Sequence, residues 1–217
     1  HQMVKDSQPK RVALVAAEDP VLIEAAKRAQ EEGLARFILF GNSRKIESLN
    51  PPDASSFEIV DSQNPAIDAI NYIHADKADL LMKGKIQTGD LLRAILNRDT
   101  GLRQGELLNH IAVIESPHYH KLLFISDGGI NLHLDENVYQ QMVVNITQYL
   151  KLLGIESPHF GMMTLVETVS KKIPETIIAQ KVVKVLSKKV SIEGPIAPDV
   201  ALSREAATKK GINSEIA

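Results

Sequence analysis

Apolar and polar positions follow one another in blocks that read as strand, helix, strand along the first hundred residues. Arg11 to Ala17 is a short apolar run, which predicts a buried strand. Asp19 then stands where it can cap a helix, with Pro20 as the first helical residue and Gly33 as the stop. Within that helix Leu22, Ala25, Ala26 and Ala29 recur at helical spacing. Phe37 to Gly41 predicts the next strand. Asn64-Pro65 opens a second helix with Ile67, Ile70 and Ile73 on its apolar face, and Ala78 to Met82 predicts another buried strand. Thr88 is placed to cap a helix carrying Leu91, Leu92, Ile95 and Leu96. Such alternation predicts parallel strands joined by crossover helices, an α/β layered fold.

The pattern changes after Gly105. Ile111 to Glu115 and Lys121 to Ser126 are two strand-like runs close together, and Pro117 with its polar neighbours between them predicts a hairpin. The clearest helix follows, with Asp135 as its cap, Val138, Met142, Ile146, Tyr149 and Leu153 as its buried stripe, and Gly154 as its stop. Phe160 to Val166 reads as a strand, Pro174 opens a helix, Ile192 begins a strand, and Asp199 caps a short last helix ending at Gly211. A domain boundary near Gly105 divides the chain into a first α/β domain, 1–105, and a second, 106–217. The helix from Pro174 keeps its periodicity to about Leu186, which leaves few residues before the strand near Val190. Either that helix ends early or residues are absent near Lys189.

With 217 residues and a hydrophobic fraction of 44%, the chain can bury a sizeable core. Its formal net charge is −2, with Lys and Arg dispersed, so nucleic acid is not an expected partner. There is no cysteine, which excludes disulfides, thiolate metal sites and a cysteine nucleophile, and makes a reducing cytoplasm the default location. No apolar run reaches the roughly 18 residues that span a bilayer, so no membrane partner is expected. His1-Gln2-Met3 lacks the regions of a signal peptide and reads as a scar ahead of a starting Met3.

The chemistry-bearing stretches lie where strands end. There is no GxxxxGK[ST], GxGxxG or GxSxG motif. His118 and His120 resemble half a metal site without further ligands, so they read as loop histidines and no metal is expected. The run Met82-Lys83-Gly84-Lys85-Ile86-Gln87-Thr88-Gly89-Asp90-Leu91-Leu92-Arg93 leaves a strand, passes two glycines and enters a helix. A helix amino end with Lys83, Lys85 and Arg93 nearby suits a phosphate group, although a capped helix with solvated lysines gives the same pattern. In Ser126-Asp127-Gly128-Gly129-Ile130-Asn131, Asp127 reads as a base, a hydrogen-bond acceptor or a turn residue. Glu193-Gly194-Pro195-Ile196-Ala197-Pro198-Asp199 again brings a carboxylate, a Gly-Pro pair and an Asp to a strand end, where helix capping also accounts for Asp199. Glu167 ends a further strand. Polar groups at several strand ends are the pattern of a ligand cleft.

These stretches, in this order, resemble the phosphate acetyl/butyryltransferase family, and the butyryl branch more closely. MKGKIQTGDLLRAILN is similar to the family's strand, Lys-Gly, Thr and Leu-Arg segment, and GLRQGELLNHIAVIE to the stretch that follows it, with His110 before a strand. YHKLLFISDGGIN resembles the strand ending in (Ser/Thr)-Asp and reaching Asn. VETVSKKIPET resembles a VETVNPKMPAT-like run, and EGPIAPDVALSREAATKKGI a DGPLALDNAISEEAAKHKGI-like run. The likeness extends from about Arg11 to the end. It implies two α/β/α layered domains with a cleft between them, similar to the isocitrate/isopropylmalate dehydrogenase architecture, and a homodimer. The implied reaction is acyl-CoA plus phosphate giving acyl phosphate plus CoA, with a short acyl group such as butyryl. Coenzyme A enters as a substrate and no cofactor is implied. By position, Lys83, Gly84, Thr88 and Arg93 are candidates for phosphate or CoA contacts. Ser126 and Asn131, with Glu193 and Gly194, would line the substrate site, and Asp127 and Asp199 are the catalytic candidates.

Family members continue past the point matching Ala217 with a Ser-Arg…Asp segment tied to CoA binding and catalysis. The resemblance therefore implies a C-terminal part that this sequence lacks. The competing reading is a non-catalytic CoA- or phosphate-binding remnant. A metal- and nucleotide-dependent dehydrogenase on the same architecture would need a cluster of aspartates that the sequence does not contain.

Overall fold

The computed structural model describes residues 8–49, 57–105, 107–117 and 119–216. The expectations for His1-Gln2-Met3 and for His118 lie outside the described residues. The chain forms two compact units, His1–Gln104 and Gly105–Ala217.

In the first unit β1 (Lys10–Val15), β2 (Ala35–Gly41), β3 (Glu58–Asp61) and β4 (Leu80–Lys83) form a parallel sheet in the order β3-β2-β1-β4. The side chains of β1 point alternately to its two faces. Val12 and Leu14 pack with Ile23 and Ala26 of α1 (Pro20–Glu31) and Ile46 of α2 (Ser43–Leu49). Ala13 and Val15 pack with Ala66 and Ala69 of α3 (Pro65–His74) and Leu91 of α4 (Thr88–Ile95). Both faces are covered, which is why β1 and β2 read as continuous apolar runs instead of alternating ones. Leu14 is fully buried at the centre of this core. Leu14→Ala is expected to lower the unfolding free energy by about 3 kcal/mol, read as a shift of the urea midpoint.

The start of α1 is written locally. The Asp19 carboxylate accepts from the Val21 N–H at 2.9 Å and the Leu22 N–H at 3.2 Å, Pro20 opens the helix, and Gly33 turns the chain out with φ 71°. Other local expectations are corrected. Gln87, not Thr88, is the N-cap of α4, and it places no side-chain bond on the helix end. The stripe that α3 buries is Ala66, Ala69 and Ile70, while Ile67 is 50% exposed. Alanines bring this helix close to the sheet, and the isoleucine spacing hid that face. The short elements α2 and β3 carry too few apolar positions to show a period.

In the second unit β5 (Ala112–Ile114) and β6 (Leu123–Ile125) form an antiparallel pair. α5 (Glu136–Leu152) follows, capped by Asp135, which accepts from the Asn137 and Val138 N–H groups, both at 2.9 Å. It buries Met142, Val143 and Leu150, not Tyr149, which is exposed. β7 (His159–Met163), α6 (Pro174–Leu186) and β8 (Ser191–Ile196) make a parallel unit around Met162, Ala179, Val182 and Ile192. α6 does run to Leu186, and a turn in which Lys189 and Val190 donate to the Leu186 carbonyl at 2.8 and 3.0 Å delivers the chain to β8. The last helix is two, α7 (Pro198–Leu202) and α8 (Arg204–Lys209), split where Ser203 caps α8. Ala197 is the N-cap of α7, so Asp199 lies in its first turn and does not cap it. Among the described residues no helix is long and apolar enough to cross a membrane.

Candidate active site

Strand order picks out a first candidate region. The chain leaves β1 toward β2 and β3, then returns to the other side of β1 at β4. Ligands of open α/β sheets bind outside the carboxyl ends of strands at such a switch point. Here the Gly84 N–H donates to the Val15 carbonyl at 2.8 Å and the Lys85 N–H to the Ala16 carbonyl at 2.7 Å, so the exit of β4 stays bonded alongside the exit of β1. A Cβ at Gly84 would stand 2.3 Å from the Val15 oxygen and 2.4 Å from that of Ala16. The Lys83 ammonium makes a long contact, 3.5 Å, to the Gly84 carbonyl. Thr88 opens α4 just beyond. Arg93 is paired with Asp90 one turn earlier at 2.7 Å, with its side chain 77% exposed. Both line a groove of about 410 Å³ between α3 and α4, floored by Ile67, Ile70, Ile86 and Ala94.

The second unit gathers its polar residues into separate groups. The Asp127 carboxylate accepts from the His110 N–H at 2.9 Å, the Asn131 N–H at 2.7 Å and Asn131 Nδ2 at 2.9 Å. Ser126 Oγ accepts from Asn109 Nδ2 at 2.9 Å, and Asn145 on α5 donates to Asn109 Oδ1 at 2.8 Å and to the Leu107 carbonyl at 3.0 Å. Gly128 lies under the His110 ring, with space for no Cβ, since one would fall 2.5 Å from Nδ1. Burial pushes the Asp127 carboxyl up, but the hydrogen bonds from Asn131 and His110 outweigh it and hold the group below the usual carboxylate range. The result is a fixed anion that organises the 126–131 loop.

Glu193 on β8 is occupied by the chain beyond α8. It accepts from Ser214 Oγ at 2.6 Å and from the Ile216 N–H at 3.1 Å. Gly194 passes so close to Met162 that a Cβ would stand 2.7 Å from that residue's Cβ. Asp199 is bound to Lys210, which also binds Glu167. The Lys210 ammonium holds both carboxylates below their usual range, and they in turn raise its own.

The sequence-nominated residues therefore fall into distinct groups. Lys83, Gly84 and Thr88 lie along the stretch from the end of β4 to the start of α4, with Arg93 further along α4. Ser126, Asp127 and Asn131 share one network, while Glu193 and Asp199 belong to two other clusters. Asn109, Asn145 and Lys210 were not nominated. Asn145 did leave a signal, because asparagine is a poor residue for a helix interior and its presence there asks for a partner. Among the described residues no group of three His, Cys, Asp or Glu side chains could hold a metal ion.

A family model described as "Phosphate acetyl/butaryl transferase" matches residues 56–217. The chain belongs to the phosphate acetyl/butyryltransferase family. It is 34% identical to the phosphate butyryltransferase of Clostridium acetobutylicum, over 99% of this chain and 74% of that protein. It is 33% identical to the phosphate acetyltransferase of Thermotoga maritima, over 96% of this chain and 74% of that one. The crystal structure of a branched-chain phosphotransacylase from Enterococcus faecalis V583 superposes with a TM-score of 0.84, covering 95% of this chain and 75% of that one. At 24% identity that last likeness speaks for the fold, a mixed α/β architecture with a parallel sheet. As a member of the phosphate acetyl/butyryltransferase family the protein is an acyltransferase that uses phosphate.

Proposed function

We propose that the protein interconverts acyl-CoA and acyl phosphate, with a short acyl group such as butyryl. The observation that carries this reading is the 34% identity, over 99% of the chain, to a phosphate butyryltransferase. The switch-point loop supports it, because two glycines and flanking cations at a helix start suit a phosphate. A phosphate oxygen of the hydrogen phosphate dianion attacks the thioester carbonyl, a tetrahedral oxyanion forms, and the carbon–sulfur bond breaks. The phosphate proton ends on the leaving sulfur, so the products are acyl phosphate and the CoA thiol. The enzyme supplies no nucleophile, in keeping with a chain that has no cysteine. We assign Lys83, Gly84, Thr88 and Arg93 to the phosphate groups of the substrates, and Ser126, Asn131, Glu193 and Gly194 to the walls of the site. Asp127 and Asp199 are the carboxylates assigned to the catalytic role; in the free protein the first is held by N–H donors and the second by Lys210. The isocitrate/isopropylmalate dehydrogenase type of architecture, a homodimer and a cytoplasmic location belong to the same reading, as does coenzyme A acting as substrate with no separate cofactor.

Release of free thiol from butyryl-CoA by the purified protein is expected to depend on inorganic phosphate. Butyryl and acetyl differ by two methylenes, about 1.6 kcal/mol at ~0.8 per buried CH₂, so kcat/KM for butyryl-CoA is expected to exceed that for acetyl-CoA by roughly tenfold. Equal values would sink the butyryl assignment alone. No phosphate-dependent release from either ester would sink the transfer itself.

A further inference from the structure

A relay of amides in the second unit fixes which way one hydroxyl can point. It starts at a group whose role is not open to choice. The Leu107 carbonyl can only accept, so the atom of the Asn145 side chain that meets it at 3.0 Å is Nδ2. The second hydrogen of that NH₂ goes to Asn109, 2.8 Å away, and only the oxygen of the Asn109 amide can receive it. Asn109 therefore turns Oδ1 toward α5 and Nδ2 the other way, where Nδ2 donates to Ser126 Oγ at 2.9 Å. An amide nitrogen does not accept, so the Ser126 proton cannot go to Asn109.

Among the described residues nothing else accepts that proton. Ser62 in the first unit shows the contrast. Its Oγ also accepts an N–H, from Asn64 at 3.0 Å, but its own proton goes to the Asp68 carboxylate. Ser126 has a carboxylate as its neighbour in sequence, yet both oxygens of Asp127 are taken by donors from His110 and Asn131. Ser126 is half-buried and directly follows β6, so its hydrogen is left for a group from outside the chain. Accepting an N–H also polarises the O–H, so each bond of the relay strengthens the next. The bond to the Leu107 carbonyl already ties that segment to α5. The two further bonds add a direction.

We propose that Asn109 and Asn145 are positioning residues for the Ser126 hydroxyl, which they hold as a hydrogen-bond donor to a negatively charged oxygen of the substrates. The proposal rests on the phosphotransacylase reading above, and it gives Ser126 a defined role where that reading makes it part of a wall. Two substrate oxygens have the required chemistry, one on phosphate and one on the tetrahedral oxyanion.

The test is a double-mutant cycle read in phosphate-dependent thiol release from butyryl-CoA. Ser126→Ala removes the donor and is expected to lower kcat/KM roughly 10- to 100-fold. Asn109→Asp keeps the shape and the bond from Asn145 but turns an acceptor oxygen toward Ser126 Oγ, so the hydroxyl points inward and a similar loss is expected. With Asn109→Asp in place, adding Ser126→Ala is expected to change activity by no more than about twofold, because the hydroxyl no longer faces the substrate. The charge at position 109 is common to both members of that comparison. Two losses that multiply overturn the proposal, since a merely structural role for the asparagines gives that result. A loss confined to KM for phosphate puts the acceptor on phosphate, and a loss in kcat puts it on the oxyanion. If Asn109→Asp does not fold, Ser126→Thr replaces it. Threonine keeps the hydroxyl and is expected to keep most of the activity, and a threonine variant as slow as Ser126→Ala overturns the proposal. Side-chain amide ¹⁵N NMR separates the relay from the reaction. A wild type that releases no thiol, but whose Asn109 NH₂ signal shifts with inorganic phosphate and does not shift in Ser126→Ala, sinks the transfer reading and leaves Ser126 as a phosphate donor. A wild type that shows neither overturns both.

Discussion

Gly84→Ala is expected to cost about 3 kcal/mol of stability or more and to abolish turnover. The added Cβ would sit 2.3 and 2.4 Å from two backbone carbonyl oxygens, those of Val15 and Ala16. A flexible side chain could swing away, but these oxygens belong to the end of β1, and they accept the N–H bonds of Gly84 and Lys85. Relieving the clash therefore breaks the pairing of the β4 exit with the β1 exit, next to Lys83 and ahead of α4. Overpacking against ordinary side chains costs 1–3 kcal/mol, and backbone leaves less room to relax. Gly89→Ala is the stability control. Nothing lies within 4 Å of a Cβ there, and the residue is in α4. Alanine is the better helix former, so that variant is expected to gain a few tenths to about 1 kcal/mol. Urea unfolding of both variants checks the contrast. A Gly84→Ala protein as stable as the wild type would show that this pairing is not tight in solution.

The second large effect is expected at Asp127. Removing its carboxylate in Asp127→Ala takes the acceptor from the His110 N–H and the Asn131 N–H, while Asn131 Nδ2 keeps the Leu108 carbonyl at 2.9 Å. Hydrogen bonds to a charged group contribute about 1.5–3 kcal/mol each in favourable cases, and the set is not additive, so a loss of about 3 kcal/mol is expected. Asp127→Asn keeps one acceptor oxygen and turns an NH₂ toward donors, so it should fall between. The effect carries a pH signature. The folded pKa of Asp127 lies below its ordinary value, so the unfolded chain binds the proton more readily. The carboxylate's contribution is therefore fully present above about pH 4, near the unfolded value, and is lost as pH falls through the lower folded value. The stability gap between wild type and Asp127→Ala should narrow over that window. A gap that stays constant down to low pH would mean that the charge is not what the loop needs.

Much of the first unit is legible because its signals are local. Asp19-Pro20 starts α1 and Gly33 ends it through bonds that span five residues or fewer, so the residue types alone suffice. The same holds for Asp135 and α5. The continuous apolar runs of β1 and β2 announce strands covered on both faces. The ordered motifs also carried the family resemblance, because each one is a contiguous stretch. Where a local rule met a tertiary demand, the rule failed. Asp199 has the sequence setting of a cap, yet Ala197 takes that position and the aspartate goes to Lys210. Ile67 has the spacing of a buried residue, yet the alanines of α3 are what the sheet accepts.

Partners were the least legible part of the site. Lys210 is 43 residues from Glu167, and Asn145 is 36 from Asn109, and nothing in either short stretch records the other. Arg93 looked available for a phosphate, but its first partner is Asp90, three residues away, a pairing that spacing allows without requiring. The sequence by itself determined the class of fold, the ends of α1 and the start of α5, since these depend on backbone propensities, local caps and apolar periods of two and 3.6 residues. Only the tertiary structure decided which charges are paired, which acceptors are filled and which glycines have backbone against them. Those outcomes depend on distances of about 3 Å between segments that the chain brings together only when the sheet and its helices close.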